Sequence, residues 1–399
     1  MLPVLLTTTD KDNYQAYLDE KITRVFNMLK ETLKDTDSPL GYQDLLAIEP
    51  QVHASIPEHY RMRAEFSVFH HNQDSFDYAM YEPNSKPRKV IVLKDFPGCT
   101  VAINQAMAAL REHLPKYQVI KRKLFGADFL SNTQGDVVIS LNYHKKLTEE
   151  WESEAQQLRN DLTNCGLNCS LVAHAKKQVL VVGNDYVIET IPTTRGDIKL
   201  KQVEGTFSQP NATTCSAMLN FAIACAQEGL DKAQAQSLAH QKDLIELYCG
   251  SGTFTVALAP LFNKVFATEV ARVPTNTAFF NMELNNINNI KLARLSALEV
   301  TEALNHVRSF RRLEEKEINL DDYNFGTLLI DPPRAGLQDE AALKFTAQYD
   351  RVIYISCGPE SLASDLKYLS KTHKIERLAF FDQFPYTNHL ESGVLLVRR

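Results

Sequence analysis

The chain contains no apolar run near the roughly 18 residues that a bilayer span requires. Its opening Met-Leu-Pro-Val-Leu-Leu passes straight into Thr-Thr-Thr-Asp with no basic stretch ahead of it. Neither a membrane anchor nor a secretory leader is expected, and the cytoplasm is the expected location. Glycine and proline are sparse, 15 and 16 in 399 residues, which excludes collagen-like, low-complexity and wholly disordered chains. Cysteine is too irregular for a disulfide framework. Seven, an odd number, stand at 99, 165, 169, 215, 225, 249 and 357, which suits free thiols in a reducing compartment. Cys165 and Cys169 form the closest pair, and no second Cys or His pair stands near to complete a metal site. No metal is expected.

What remains is 44% hydrophobic and 23% charged, a composition able to bury a core in two to three domains. The net charge of −6 argues against a polyanionic partner. The average conceals a basic window, however. From Lys86 to Lys146, eleven cations face four anions, a local charge of +7. A polyanion senses the field within about one Debye length, roughly 8–10 Å, so this window is either an RNA-facing surface or a set of ordinary solvated lysines.

Three texts follow one another along the chain. Leu18, Ile22, Val25, Phe26, Leu29 and Leu33 share one face at a period of 3.6 and predict a helical segment within residues 1–45, closed by Asp35 to Pro39. Residues 46–205 carry alternating strand-like runs, such as Phe66-Ser67-Val68-Phe69 and Val137 to Leu141, and predict an α+β domain. One amphipathic helix interrupts them, from about Glu149 to Leu162, opened by Thr148. Residues 206–399 change to short apolar strands (Leu244–Tyr248, Val265–Thr268, Thr327–Ile330, Val352–Ile355, Gly393–Val397) separated by helical stretches. That pattern predicts a mostly parallel sheet covered on both faces, a doubly wound Rossmann-like α/β domain. With no repeat and no long linker, the halves are expected to pack closely.

Glu246-Leu247-Tyr248-Cys249-Gly250-Ser251-Gly252-Thr253 joins a predicted strand to a helix. Glycines there permit positive φ and close approach of backbone to a ligand. The third glycine of a dinucleotide fingerprint is missing, since Thr255 occupies its place, and Glu269 follows 19 residues after Gly250, where a carboxylate can accept from both ribose hydroxyls. An acid without a phosphate cradle suits S-adenosylmethionine better than NAD; a plain tight turn is the alternative. Asp331-Pro332-Pro333-Arg334 ends another strand and forms a rigid corner aiming Asp331 at the same edge, or merely a strand terminator. Ser356-Cys357-Gly358-Pro359-Glu360 ends the next. Cys357, just ahead of a helix N-terminus expected to favour a thiolate, is the best nucleophile candidate of the seven, the alternative being a buried core thiol. Glu391, entering the last strand, is either a surface acid or a group beside this cleft.

Taken in order, Arg61-Met62-Arg63-Ala64-Glu65-Phe66, Tyr143-His144-Lys145-Lys146-Leu147, Phe207-Ser208-Gln209-Pro210-Asn211, the Tyr-Cys-Gly turn, Asp-Pro-Pro-Arg, Ser-Cys-Gly-Pro-Glu and Phe381 to Tyr386 resemble the S-adenosylmethionine-dependent RNA uracil-5-methyltransferases. Within them the resemblance is to the branch that makes ribothymidine at uridine 54 of the tRNA T-loop. It runs from about Tyr60 onward and implies Cys357 as nucleophile and Glu391 as base. It also implies Gln209, Tyr248, Gly250, Thr253, Glu269 and Asp331 as cofactor contacts, with Asp331 open to contact uracil as well or instead. Thr253 stands where close relatives often carry Asn. The relatives that modify rRNA usually add a four-cysteine cluster, whereas the first hundred residues here hold only Cys99, so the T-arm of tRNA is the expected partner and no metal cluster is expected. Ribosomal RNA, or another structured RNA such as tmRNA, is the alternative. Amino-methylating enzymes share the Asp-Pro-Pro corner but follow it with an aromatic, where this chain has Arg334. RNA contacts are expected from Arg61, Arg63, Lys121, Arg122, Lys123, Tyr143, His144 and Lys145, and the protein is expected to be a monomer by default.

Overall fold

The computed structural model describes residues 2, 4–5, 7–34, 39–72, 75–82, 85–87, 89–235 and 242–399. The expected helix closure at Asp35 to Pro39 lies, except for Pro39, outside them, as does Arg88 of the basic window.

The chain opens with helices α1 (Tyr14–Lys34) and α2 (Leu40–Ala47) and the short strand β1 (Gln51–His53). The apolar face of α1 is the expected one: Leu18, Val25, Leu29 and Leu33 are buried, and Ile22 and Phe26 pack against the core. That face packs onto the C-terminal half. Val25, Leu29 and Leu33 belong to the core of the C-terminal half, and β1 pairs in parallel with a strand of that half. A buried ion pair secures the junction, Lys21 Nζ to Asp382 Oδ1 at 2.5 Å, with the Tyr14 hydroxyl donating to Asp382 Oδ2 at 2.8 Å.

The middle region comprises β2 (Arg63–His70), β3 (Phe76–Tyr81), β4 (Val90–Leu93), α3 (Val101–His113), α4 (Gln118–Lys121), β5 (Leu124–Ser131), β6 (Asp136–Tyr143), α5 (Glu149–Asn164), β7 (Asn168–Ala175) and β8 (Gln178–Val182). The seven strands form one sheet in the order β4-β3-β2-β5-β6-β7-β8. The expected helix is α5. Trp151, Ala155, Leu158 and Leu162 form its buried stripe, and Glu149, Glu150 and Glu152 fall in its first turn, where negative charge complements the helix dipole. A second helix, α3, was not anticipated. Its buried face, Ala102, Ile103, Ala106, Met107 and Leu110, has helical spacing that the strand-like runs on either side drew attention from, and Thr100 caps its N-terminus by accepting from Ile103 N. The hairpin β9 (Tyr186–Ile191) and β10 (Ile198–Val203) is a separate two-stranded sheet. It bridges the halves: Glu189 accepts from Thr133 N at 2.8 Å on one side, and Lys201 N donates to Asn281 Oδ1 at 2.7 Å on the other.

The C-terminal region runs through α6 (Ala212–Ala235), β11 (Asp243–Leu247), α7 (Thr253–Leu258), β12 (Lys264–Thr268), α8 (Arg272–Leu284), β13 (Ile290–Ala293), α9 (Ala297–Leu304), α10 (Arg311–Glu314), β14 (Phe325–Ile330), α11 (Glu340–Thr346), β15 (Arg351–Ser356), α12 (Pro359–Leu369), β16 (His373–Phe381) and β17 (Glu391–Arg398). Its eight-stranded sheet has the order β1-β16-β17-β15-β14-β11-β12-β13, with β17 antiparallel to both neighbours. From β11 the chain winds outward through β12 and β13, then returns to β14 on the other side of β11. The strand order reverses at β11 and β14, and in open α/β sheets ligands bind outside the carboxyl ends at such a point. No described helix is long and apolar enough to cross a membrane.

Candidate active site

Side chains alternate between the faces of a strand. Leu244 of β11, Leu329 of β14, Ile353 and Ile355 of β15 and Leu395 of β17 all enter one apolar cluster against α6 and α7. Two residues further toward the carboxyl edge, the same face therefore carries Glu246, Asp331 and Cys357. On antiparallel β17, Gly393 and then Glu391 step back to that edge. The last registered pair of β15 and β17 is Ser356 with Ser392. Cys357 and Glu391 are the next residues along the two segments, near enough for the Glu391 carboxyl to act on the thiol. Two groups 34 positions apart in sequence are thus brought together by strand register alone.

Two contacts brace the segment that carries the thiol. Ser361 Oγ in α12 donates to the Arg334 carbonyl at 2.8 Å, tying the Asp-Pro-Pro-Arg corner to the segment that follows Cys357. Gly358 is required by this closeness, because a Cβ there would lie 2.4 Å from the Arg334 oxygen. Cys357 is half-buried, and of the remaining cysteines only Cys165 is exposed. The expectation that the helix N-terminus would favour a thiolate is corrected here. Burial, then the Glu391 and Asp331 carboxyls, push the thiol up to about 11, outweighing its backbone N–H contact and the Arg334 guanidinium. Burial and Asp331 likewise raise Glu391 to about 8, and burial raises Asp331 to about 7.

Beside this group lies a cleft of about 340 Å³. Tyr248, Val270, Leu295, Leu298 and Leu337 give it an apolar lining, with Glu269 at one edge. Glu269 is held in place by accepting from Gly250 N at 3.2 Å and Ala271 N at 2.7 Å. The turn above it takes positive φ at Tyr248, Gly250 and Gly252, and at Gly252 an added Cβ would also press on Ala278. Among the described residues the lining holds carboxylates, Glu269 and Asp339, but no Lys or Arg. Such a donor set fits an uncharged base, a ribose diol and a cationic tail, and it does not fit a phosphate. Pro333 joins the cleft to the Asp331 corner. The segments Leu295–Leu298 and Gly336–Gln338 went unmarked in the sequence, where they lack any motif.

Gln209 belongs to a polar network that joins the segment ahead of α6 to the segment after β16. Gln383 Nε2 donates to Gln209 Oε1, the Thr214 hydroxyl donates to Gln383 Oε1, and Asn211 Nδ2 donates to Ser55 Oγ at 2.7 Å. The Phe-Ser-Gln-Pro-Asn and Phe-Asp-Gln-Phe-Pro motifs thus brace one another. Thr253 opens α7, its hydroxyl 3.5 Å from Ser251 Oγ. Phe207, 73% exposed, stands beside Gln209 at the rim.

The expected RNA contacts divide. Arg63 donates to the Thr206 carbonyl at 2.6 Å and pairs with Glu65, while Arg61 precedes β2 and lies over the Phe384 ring at 5.8 Å. Arg122 and Lys123 are exposed, and Lys121 donates to the Pro115 carbonyl. Lys145 is occupied by the Val119 carbonyl. Tyr143 is a correction: 4% exposed in the core of the middle sheet, its hydroxyl accepts from Trp151 Nε1 at 3.0 Å. Strand alternation turns it inward and leaves His144 outside. His144 instead stacks on Phe125, centroids 3.9 Å apart, and this exposed pair beside Lys123 was missed because Phe125 reads as strand core.

A doubly wound α/β fold with a phosphate-free nucleoside cleft beside a thiol and carboxylate defines an enzyme of the Rossmann-like group-transfer class. Residues 14–399 match the family model described as tRNA (Uracil-5-)-methyltransferase. The chain belongs to that family. It is similar to tRNA/tmRNA (uracil-C(5))-methyltransferases from Photobacterium profundum, at 40% identity over 98% of this chain and 99% of the relative, and from Haemophilus influenzae, at 44% over 97% and 98%. Its fold is similar to that of the Pyrococcus abyssi tRNA (uracil-54, C5)-methyltransferase solved with S-adenosyl-L-homocysteine, at a TM-score of 0.66 and 19% identity, covering 96% of this chain and 84% of that one.

Proposed function

We propose that this chain methylates C5 of the T-loop uridine 54 of tRNA, with Cys357 as nucleophile, Glu391 as base and S-adenosylmethionine as methyl donor. The observation that carries this reading is the placement of Cys357 opposite Glu391 on the edge that also bears the cleft. C5 of uracil is a weak nucleophile. Attack of the Cys357 sulfur on C6 raises electron density at C5, splitting one difficult step into two. The thiol must first lose its proton, and the carboxyl groups that disfavour the thiolate are also the nearest bases. Bound S-adenosylmethionine supplies an electrophilic methyl group on a sulfonium. Glu391 then removes the C5 proton, and the thiolate is eliminated to restore the aromatic ring. A carboxylate titrating near 8 is a stronger base than an ordinary one and remains partly ionised at neutral pH.

Tyr248, Glu269 and the Leu295–Leu298 segment would hold the nucleoside of the donor, and Gln209 and Asp331 would stand between it and the uracil. Flipping the base from its loop costs a few kcal/mol. Phe207, the Phe125–His144 stack, Arg122 and Lys123 are the exposed stacking and cationic groups that would offset it. Since the curated relatives carry tmRNA beside tRNA in their names, a T-loop-like fold in tmRNA is a second substrate. Incubation with labelled S-adenosylmethionine and unmodified tRNA, followed by nucleoside analysis, should yield 5-methyluridine at position 54. Label in another nucleoside would reject the reading.

A further inference from the structure

Glu246 takes no part in the chemistry above, yet it is the most deeply buried acid of this edge, 1% exposed. It sits in register with Leu329, two residues below Asp331 on the neighbouring strand and on the same face. Its Oε2 meets no partner in hydrogen-bond geometry among the described residues; the Thr255 hydroxyl faces it, close enough to favour the carboxylate somewhat, without reaching that geometry. A buried carboxyl without a partner costs about 1–3 kcal/mol, more when charged, and is worth explaining.

We propose that Glu246 is the counter-ion for the positive charge of the methyl donor, so that the protein distinguishes donor from demethylated product by charge. This rests on the cofactor reading above. S-adenosylmethionine and S-adenosylhomocysteine share every group except the methyl, and with it the sulfonium charge. Burial, opposed by the Thr255 hydroxyl and reinforced by Asp331, pushes Glu246 up to about 8, so in the free protein at pH 7 it is mainly the neutral acid. The groups facing it are Thr255 from α7, Asp331 from the end of β14 and the Cys249 thiol from the following turn, while β12 and β14 present Ala267 and Leu329 at its own level. Arg334 acts on Cys357 and Glu391, further along the edge. A cation brought to this edge meets carboxyl groups alone at Glu246. It favours their ionised form, and the proton of Glu246 leaves to solvent. When the methyl has been transferred the positive charge is gone, the acid takes a proton back, and the product is held less tightly.

The test is calorimetric binding of three ligands to the intact protein, in two buffers of different ionisation enthalpy. The ligands are S-adenosylmethionine, S-adenosylhomocysteine and sinefungin, which carries an amine cation in place of the methyl sulfonium. At pH 7 the two cationic ligands should each release up to about one proton more than S-adenosylhomocysteine, and the affinity ratio should rise toward tenfold per pH unit below pH 7, flattening above pH 8. In Glu246→Gln the difference in protons should vanish, while S-adenosylhomocysteine still binds and shows the site to be folded. Equal proton release by all three ligands in the wild type overturns the proposal. So does a difference that persists undiminished in Glu246→Gln, which would assign the charge to Asp331. Failure of all three to bind the wild type would instead reject the cofactor reading.

Discussion

Glu391 stands across from Cys357 one step beyond the Ser356–Ser392 pair, and its carboxyl, after burial, is the main reason that the thiol resists ionisation. In the free protein the proposed base therefore restrains the proposed nucleophile. An unreactive resting thiol is the consequence, and reactivity has to arrive with the substrates.

The first prediction concerns the adduct. tRNA carrying 5-fluorouridine has no C5 proton to lose, so it should form a complex with the wild type that survives a denaturing gel. Cys357→Ala should form none, although it binds tRNA. Glu391→Gln should accumulate a methylated adduct on ordinary tRNA. Absence of both bands would reject the assigned roles.

The pH dependence follows from the raised Glu391 group. Below its value of about 8 the carboxyl is mainly protonated and cannot accept the C5 proton. Decay of a preformed methylated adduct should therefore accelerate by up to about tenfold per pH unit between pH 6 and 7 and level off above pH 8. A rate independent of pH over that range would show that another group removes the proton.

Closeness at Gly358 gives a steric prediction. Its φ of −122° suits any residue, so the cost of Gly358→Ala is contact alone, a Cβ 2.4 Å from the Arg334 oxygen. The substitution should destabilise the fold by ~1–3 kcal/mol in denaturant unfolding and lower the yield of the fluorouridine adduct in the folded fraction.

The Lys21–Asp382 pair is 4% and 1% exposed. Lys21→Met leaves an uncompensated buried carboxylate, and a loss of ~3–5 kcal/mol is expected. The double variant Lys21→Met with Asp382→Asn should recover part of it. A loss below about 1 kcal/mol in the single variant would place the pair among ion pairs of surface type.

On the RNA side, the exposed and inward groups should separate. Arg122→Glu with Lys123→Glu should weaken tRNA binding and reduce the slope of log affinity against log salt by about two. Tyr143→Phe should leave affinity unchanged while costing ~1–3 kcal/mol of stability, because Trp151 Nε1 loses its acceptor.

Much of the site was legible because its parts are local. A glycine turn after β11, a proline corner after β14 and a cysteine after β15 each announce a strand end, and strand ends of a parallel sheet share one edge. The α1 face and the α5 stripe were legible as periodicity. Helix α3 has the same kind of spacing in Ile103, Met107 and Leu110 but is short and set among strand-like runs, and it went unread. The attachment of α1 and β1 to the C-terminal sheet was not legible either, because it is made by Asp382 and β16, more than 300 residues away. Tyr143 and His144 look equivalent in sequence, and only the pleat, with Trp151 waiting inside, separates them.

By itself the sequence determined the doubly wound class and put forward the candidate reactive groups, since these follow from short-range pattern and side-chain chemistry. Tertiary structure alone decided which groups meet and in what protonation state. The approach of Cys357 and Glu391 comes from the pairing of β15 with β17, the neutral character of Glu246 and the thiol comes from burial beside other carboxyl groups, and the raised value of Asp331 comes from burial alone. Both depend on distances through space, which no spacing along the chain encodes.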